Sequence, residues 1–215
     1  MATRRRELWY NIRMKRITFE VGPFEVNCSV LCEGPEAFLV DPGLDSGRIE
    51  AALEEAGATP KAILLTHAHF DHVGAIPALQ RRWPGLPVYV HPEDAMLIAH
   101  PLNQMPPEYP PIPMPSNVRD CRTLEGVKAI ETPGHTPGGV CYYFKGDSLL
   151  LSGDTLFAGS VGRTDFPGGS MPTLLESVRR LAAELPDDTV VVPGHGPETT
   201  IGAEKAGNPF IAGMR

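Results

Sequence analysis

Six consecutive residues, His67-Ala-His69-Phe-Asp71-His72, constrain this chain more than any other feature of it. They follow Ala62-Ile-Leu-Leu65, a continuous apolar run that reads as a buried strand. Three imidazoles and a carboxylate crowd together at low cost only where something coordinates or solvates them. The same kind of place recurs. Ala129-Ile-Glu-Thr132 runs into Pro133-Gly-His135, Leu149-Leu-Leu-Ser152 into Gly153-Asp154, and Val190-Val-Val192 into Pro193-Gly-His195. Each time an apolar run ends in a small-residue turn that delivers a metal-competent side chain. Ligands in open α/β sheets bind at the carboxyl ends of strands, so four such deliveries can converge on one edge. Imidazole suits zinc, iron and nickel, while carboxylates suit harder ions or bridge two. Four donors within six residues exceed what one tetrahedral ion takes comfortably from so short a segment. Two ions on the order of 3.5–4 Å apart, sharing a hydroxide nucleophile, are therefore expected.

The rest of the chain suits such a site. Its 215 residues are enough for a sizeable core in one domain. A hydrophobic fraction of 42% excludes an acidic disordered chain. Net charge −7 argues against nucleic acid, which needs clustered Lys and Arg. No run of 18 apolar residues occurs, so no membrane span is expected. Arg4-Arg-Arg6 is followed by no apolar leader segment, which makes a cytoplasmic protein the expectation. Residues 1–13 read as an N-terminal extension and 14–215 as the domain. Cys28, Cys32, Cys121 and Cys141 form no CxxC pair and sit in apolar runs, as buried reduced thiols do.

Strand patterns fall at 15–21, 26–33, 36–40, 62–65, 87–90, 127–132, 140–145, 148–152 and 189–192, with helices at 46–56, 72–83, 92–99 and 171–185. Gly57 stops the first helix. The order suggests two sheets with helices outside. Residues 101–115 hold seven prolines and exclude regular structure. They form either a surface excursion or a flap bearing Met105, Tyr109 and Ile112. His91 reads as a turn or capping residue and His100 as a surface one.

Thr66-His-Ala-His-Phe-Asp-His72, with Gly134-His135, Gly153-Asp154 and Gly194-His195, resembles the metallo-β-lactamase superfamily. Asp41-Pro-Gly43, Pro133-Gly-His-Thr-Pro137, Ser152-Gly-Asp-Thr-Leu156, Gly162-Arg-Thr-Asp-Phe166 and Pro193-Gly-His-Gly-Pro197 resemble its hydroxyacylglutathione hydrolase (glyoxalase II-like) group. The resemblance spans about residues 14–210. It implies an α/β fold, the four-layer αββα sandwich, with the metal site along one edge of the two sheets. It also implies that His67, His69 and His135 bind a first metal, that Asp71, His72 and His195 bind a second, and that Asp154 bridges them. Asp71 would in addition orient the hydroxide. Zinc is the expected ion, with iron or manganese as alternatives. Asp41 would orient a ligand histidine, or else simply form its turn.

The resemblance implies a thioester hydrolase with a small-molecule substrate, as a monomer or small homo-oligomer with no nucleic-acid or membrane partner. Two departures loosen the substrate. The group's longer members carry a C-terminal helical region that holds glutathione, and this chain ends shortly after Asn208-Pro-Phe210. Arg163 stands where the group has a Lys nine positions beyond the bridging Asp. Its guanidinium suits a substrate carboxylate, or pairs with Asp165. Persulfide dioxygenases also resemble the sequence and would use one iron on His67, His135 and Asp154. A nuclease of the same fold is disfavoured by charge, and a non-enzymatic scaffold by the retention of all seven ligand positions.

Overall fold

The computed structural model describes residues 14–212; the expected extension at 1–13 lies outside the described residues. The chain runs β1 (Lys15–Val21), β2 (Val26–Glu33), β3 (Glu36–Val40), α1 (Ser46–Ala56), β4 (Thr59–Leu64), α2 (Phe70–Val73), α3 (Ile76–Arg82), β5 (Val88–Val90), α4 (Pro92–Ala95) and β6 (Val118–Asp120). It continues through β7 (Lys128–Glu131), β8 (Val140–Phe144), β9 (Leu149–Gly153), β10 (Leu156–Phe157), β11 (Ser160–Val161), α5 (Met171–Glu184), β12 (Val190–Pro193), β13 (Thr199–Thr200) and α6 (Ile201–Gly207).

One sheet has the order β1-β2-β3-β4-β5-β6, the other β13-β12-β9-β8-β7, and β10-β11 is a separate hairpin. Strand alternation explains how the sheets stack. In β2, β3 and β4, Val30, Leu39 and Ile63 face a core shared with Ile49 and Leu53 of α1 and with Ile76 and Leu79 of α3. Leu31, Phe38, Val40 and Leu64, one residue out of phase, face Tyr142, Phe144, Leu149, Leu151 and Val192 of the second sheet. Cys141, Leu150 and Val191 point outward again, onto Leu174, Val178 and Leu181 of α5 and Ile201 of α6. A period of two thus feeds three cores, which is what four layers require. The expected αββα sandwich is present.

The expected helix at 72–83 is two helices. Pro77 has no N–H to continue the ladder from Val73, and the Ala75 N–H turns instead to the Pro42 carbonyl (3.0 Å). Helix α4 is shorter than the expected 92–99. Strands β6, β10, β11 and β13 and helix α6 carry no sequence pattern long enough to read. The stretch 101–115 is a largely exposed excursion held by a few buried anchors: Tyr109 packs against Phe24 and Phe70, with ring centroids 5.6 and 5.0 Å away, and Ile112 joins the first core. All four cysteines are free and buried. No described helix is long and apolar enough to cross a membrane.

Candidate metal centre

Strands β3, β4 and β5 run parallel, as do β9 and β12, and β7 shares the direction of β9 through two antiparallel pairings. Their carboxyl ends therefore open on one edge. There the loop after β4 presents His67, His69, Asp71 and His72, that after β7 His135, that after β9 Asp154, and that after β12 His195. All seven expected residues come together. Donor atoms of His67, His69 and His135 form one group, those of Asp71, His72 and His195 another, and those of His67, His72 and Asp154 a third between them; within each group the atoms lie within 4.8 Å of one another. Asp154 faces both sides: Oδ1 lies 3.6 Å from His72 Nε2, and Oδ2 lies 3.5 Å from His135 Nε2 and 3.8 Å from His195 Nε2. Asp71 Oδ2 is 3.4 Å from His195 Nε2.

Most of the imidazoles are anchored by the nitrogen that faces away. Thr66 Oγ1 donates to Asp41 Oδ2 (2.6 Å) and so accepts from His67 Nδ1 (3.1 Å). His135 Nδ1 donates to the Arg163 carbonyl (2.7 Å), and His195 Nδ1 to the Phe24 carbonyl (2.8 Å). His72 Nδ1 lies 3.1 Å from Asp41 Oδ2. Fixing one nitrogen this way settles the tautomer and aims the other lone pair. Asp41 itself, at φ 48°, also accepts from the Thr66 N–H (2.8 Å), so it supports two of the histidines from one turn. His67 Nε2, both ring nitrogens of His72 and Asp154 Oδ1 are buried and have no well-aligned hydrogen bond, His72 Nδ1 having only its close contact with Asp41. Buried polar atoms are costly when unpaired, and this donor set fits metal ions.

The electrostatics divide the cluster. Burial pulls His67 well below the ordinary imidazole value, and His72, His135, His69 and His195 push it the same way. Burial, then His135, brings His69 to about 3. Burial also pulls on His72, but Asp71, Asp41 and Asp154 together outweigh it and raise this imidazole to about 10. Burial pushes the Asp71 carboxyl up, yet His72 and His195 outweigh that and hold it at about 2. His195 rises because its hydrogen bond to Asp71 and the charge of Asp154 overcome burial. One side thus offers neutral lone pairs, and the other carboxylates that call for positive charge between them. A divalent cation meets both demands.

Close backbone approach makes the edge. A Cβ on Gly43 would sit 1.9 Å from the Asp71 carbonyl oxygen, so only glycine lets the Asp41 turn lie under the metal loop. At Gly194 a Cβ would meet Asp154 Oδ1 at 2.2 Å.

Two supporting residues escaped the sequence reading. Asp94, buried at the start of α4, accepts from the Ala68 N–H (3.2 Å), Thr136 Oγ1 (2.7 Å) and the Gly138 N–H (2.7 Å). It joins the loop of His67 and His69 to the loop of His135. Burial raises its carboxyl above the ordinary value against those three hydrogen bonds. Asn27 clamps the last ligand loop, its amide donating to the Pro193 (3.0 Å) and Gly196 (2.8 Å) carbonyls. A polar residue inside the apolar run 26–32 was the available signal for Asn27, whereas Asp94 gave none. His91 caps α4 and hydrogen-bonds Glu131 through Nε2 (3.0 Å).

The cluster floors a cleft of about 410 Å³ lined by Phe24, Phe70, Phe157, Val161, Arg163 and Phe166 among others. Arg163 lies at its exposed side, with its Nε and Nη2 donating to Asp165 (2.6 Å each) and the Phe166 ring 4.4 Å beneath. His100 is exposed and borders a neighbouring cavity.

Comparison with known proteins agrees with this geometry. The model of the metallo-β-lactamase superfamily matches residues 21–195. The chain is 38% identical over 211 residues to the probable metallo-hydrolase YqgX of Bacillus subtilis, covering 94% of this chain and 99% of that one. It is 34% identical over 205 residues to the hydroxyacylglutathione hydrolase GloC of Haemophilus influenzae, covering 89% and 95%. Among solved structures, the B3 metallo-β-lactamase BLEG-1 superposes with TM-score 0.83 at 37% identity, covering 93% of this chain and all of that one. TTHA1623, in a di-iron-bound form, gives TM-score 0.78 at 40% identity, covering 90% and 99%. With the donor cluster, the sandwich and these likenesses in agreement, the chain belongs to the metallo-β-lactamase superfamily.

Proposed function

We propose that this protein hydrolyses thioesters of the S-2-hydroxyacylglutathione type with two divalent metal ions, zinc before iron or manganese. The observation that carries the reading is the convergence of seven donors on the floor of an open cleft. The likeness to GloC supports the substrate class. His67, His69 and His135 would hold one ion, Asp71, His72 and His195 the other, with Asp154 between them. When bound, such ions supply Lewis acidity and a water that ionises near neutral pH. The chain's own groups do the positioning. Asp71, held ionised, accepts a hydrogen bond from the attacking water and so orients its lone pair. The water oxygen bonds to the thioester carbonyl carbon and the carbon–sulfur bond breaks. The water's protons finish on the acid and thiol products. Phe24, Phe70 and Phe157 give the cleft apolar walls, and Arg163 at its rim meets an anionic part of the substrate. A net charge of −7 suits a small-molecule substrate rather than nucleic acid or an anionic membrane.

Metal content by elemental analysis, paired with thioester hydrolysis on the same sample, tests this. Two ions per chain with turnover are expected, and Asp154→Ala should lower turnover by about a hundredfold or more. One iron per chain, with oxygen consumed in the presence of a persulfide, would replace this reading with the mononuclear dioxygenase.

A further inference from the structure

Beside the metal cleft lies a second cavity of about 210 Å³, lined by Phe70, Leu97, Leu102, Phe166 and Pro167 with His69, His100 and Asn103. His69, Phe70 and Phe166 line both spaces, so the two adjoin at the first-metal side of the cluster. Its volume falls below the roughly 300 Å³ of the smallest whole-ligand pockets, which suits part of a substrate. Its wall is built rather than incidental. Asn103, buried, donates from Nδ2 to the Ala68 carbonyl (2.8 Å), and the Ala68 N–H is held by Asp94. The segment bearing Leu102 is thereby tied to the backbone between two metal-ligand histidines. Leu102 nevertheless leaves 78% of its surface in water, and Phe166 38%. Among the described residues, the cation at the cleft outside the histidines is Arg163, which does not line this cavity.

We infer that this cavity is the subsite for the apolar tail of the acyl group, which makes the preferred substrates of this type acyl thioesters with a hydrophobic chain, their polar thiol lying along the Arg163 side. The inference rests on the proposed thioester hydrolysis. An acyl chain that enters past His69 keeps its carbonyl over the donor cluster and covers Phe166 and Leu102. Each methylene removed from water contributes about 0.8 kcal/mol, a factor of about four in affinity.

The test uses the metal-loaded, full-length protein and glutathione thioesters from acetyl to octanoyl. Values of kcat/KM should climb about threefold to fourfold per methylene until the cavity fills. Leu102→Glu should cut the octanoyl-to-acetyl ratio at least tenfold, and Leu102→Ala should cut it less. Leu102 is a surface residue, so neither change threatens folding. A flat acyl series, or a steep dependence on the length of an alkyl thiol at constant acetyl, overturns the assignment. So does an unchanged ratio in Leu102→Glu accompanied by loss of a dimer on size exclusion, which would make the patch a contact between copies. Calorimetric titration with acetate and octanoate separates the two proposals. If no thioester is cleaved but octanoate binds more tightly than acetate and Leu102→Glu abolishes the difference, the subsite stands and the thioester reading fails. If thioesters are cleaved and octanoate has no advantage, the subsite fails alone.

Discussion

Arg163 illustrates how one residue can serve through two of its parts. Its carbonyl accepts from His135 Nδ1, while its guanidinium, on Asp165, sits at the open side of the cleft. Replacement by Ala keeps the carbonyl. Arg163→Ala should therefore raise KM several-fold for anionic thioesters and leave kcat close to its starting value. Asp165→Ala, which frees the guanidinium, should lower KM for the same substrates. Steady-state kinetics on charged and uncharged thioesters would check both, and a pure kcat loss would assign Arg163 to supporting the ligand loop. Asp94 works wholly through hydrogen bonds. In Asp94→Asn an amide donor faces one of three donors, at a cost of about 1–3 kcal/mol. The His67–His69 and His135 loops then lose their shared acceptor. Metal affinity should fall about tenfold or more, read by chelator competition, while near-complete retention would reduce Asp94 to a fold-stabilising residue.

The elements follow from local chemistry where they are long and from their neighbours where they are short. Helix α1 matches its expected bounds because Gly57, at φ 64°, accepts the left-handed conformation that ends it. Helix α5 buries Leu174, Val178 and Leu181 at helical spacing and was legible for that reason. Strands β10, β11 and β13 have two residues each, too few for any period, and exist because partners are there to pair with. The junction of α2 with the Asp41 turn depends on Gly43. A methyl group there, aimed at the Asp71 carbonyl, must displace the metal loop or the turn. Gly43→Ala should lower the melting temperature and the number of ions bound per chain. An unchanged stoichiometry would show that the loop tolerates the shift.

At the scale of the whole molecule, the site is a joint between two sheets. The Val140 N–H donates to the Thr66 carbonyl (2.8 Å) and the Asn27 N–H to the Gly194 carbonyl (2.8 Å), so first-sheet and second-sheet ligand loops are stitched across the edge. Metal ions would add a second set of links between the same loops and bind the folded chain alone. At free metal a thousandfold above Kd this contributes about 4 kcal/mol. For a chain of this size, chelation should then lower Tm by on the order of 10 °C. Differential scanning calorimetry with and without chelator measures it, and an unchanged Tm would count against metals bridging the two sheets.

Sequence alone determined the alternation that builds the sandwich and the seven donors, because strand period and imidazole chemistry are local properties. His67, His69, Asp71 and His72 announce themselves within six residues, and each remaining ligand follows an apolar run and a glycine turn. Tertiary structure decided what is non-local. Pairing of distant strands brought Asp154 between the two histidine sets, left Asp94 under both ligand loops, and anchored a proline-rich stretch through Asn103, Tyr109 and Ile112. It also set Leu102 beside the metal cleft. None of these follows from composition or spacing, because each depends on which surfaces the folded sheets leave facing one another.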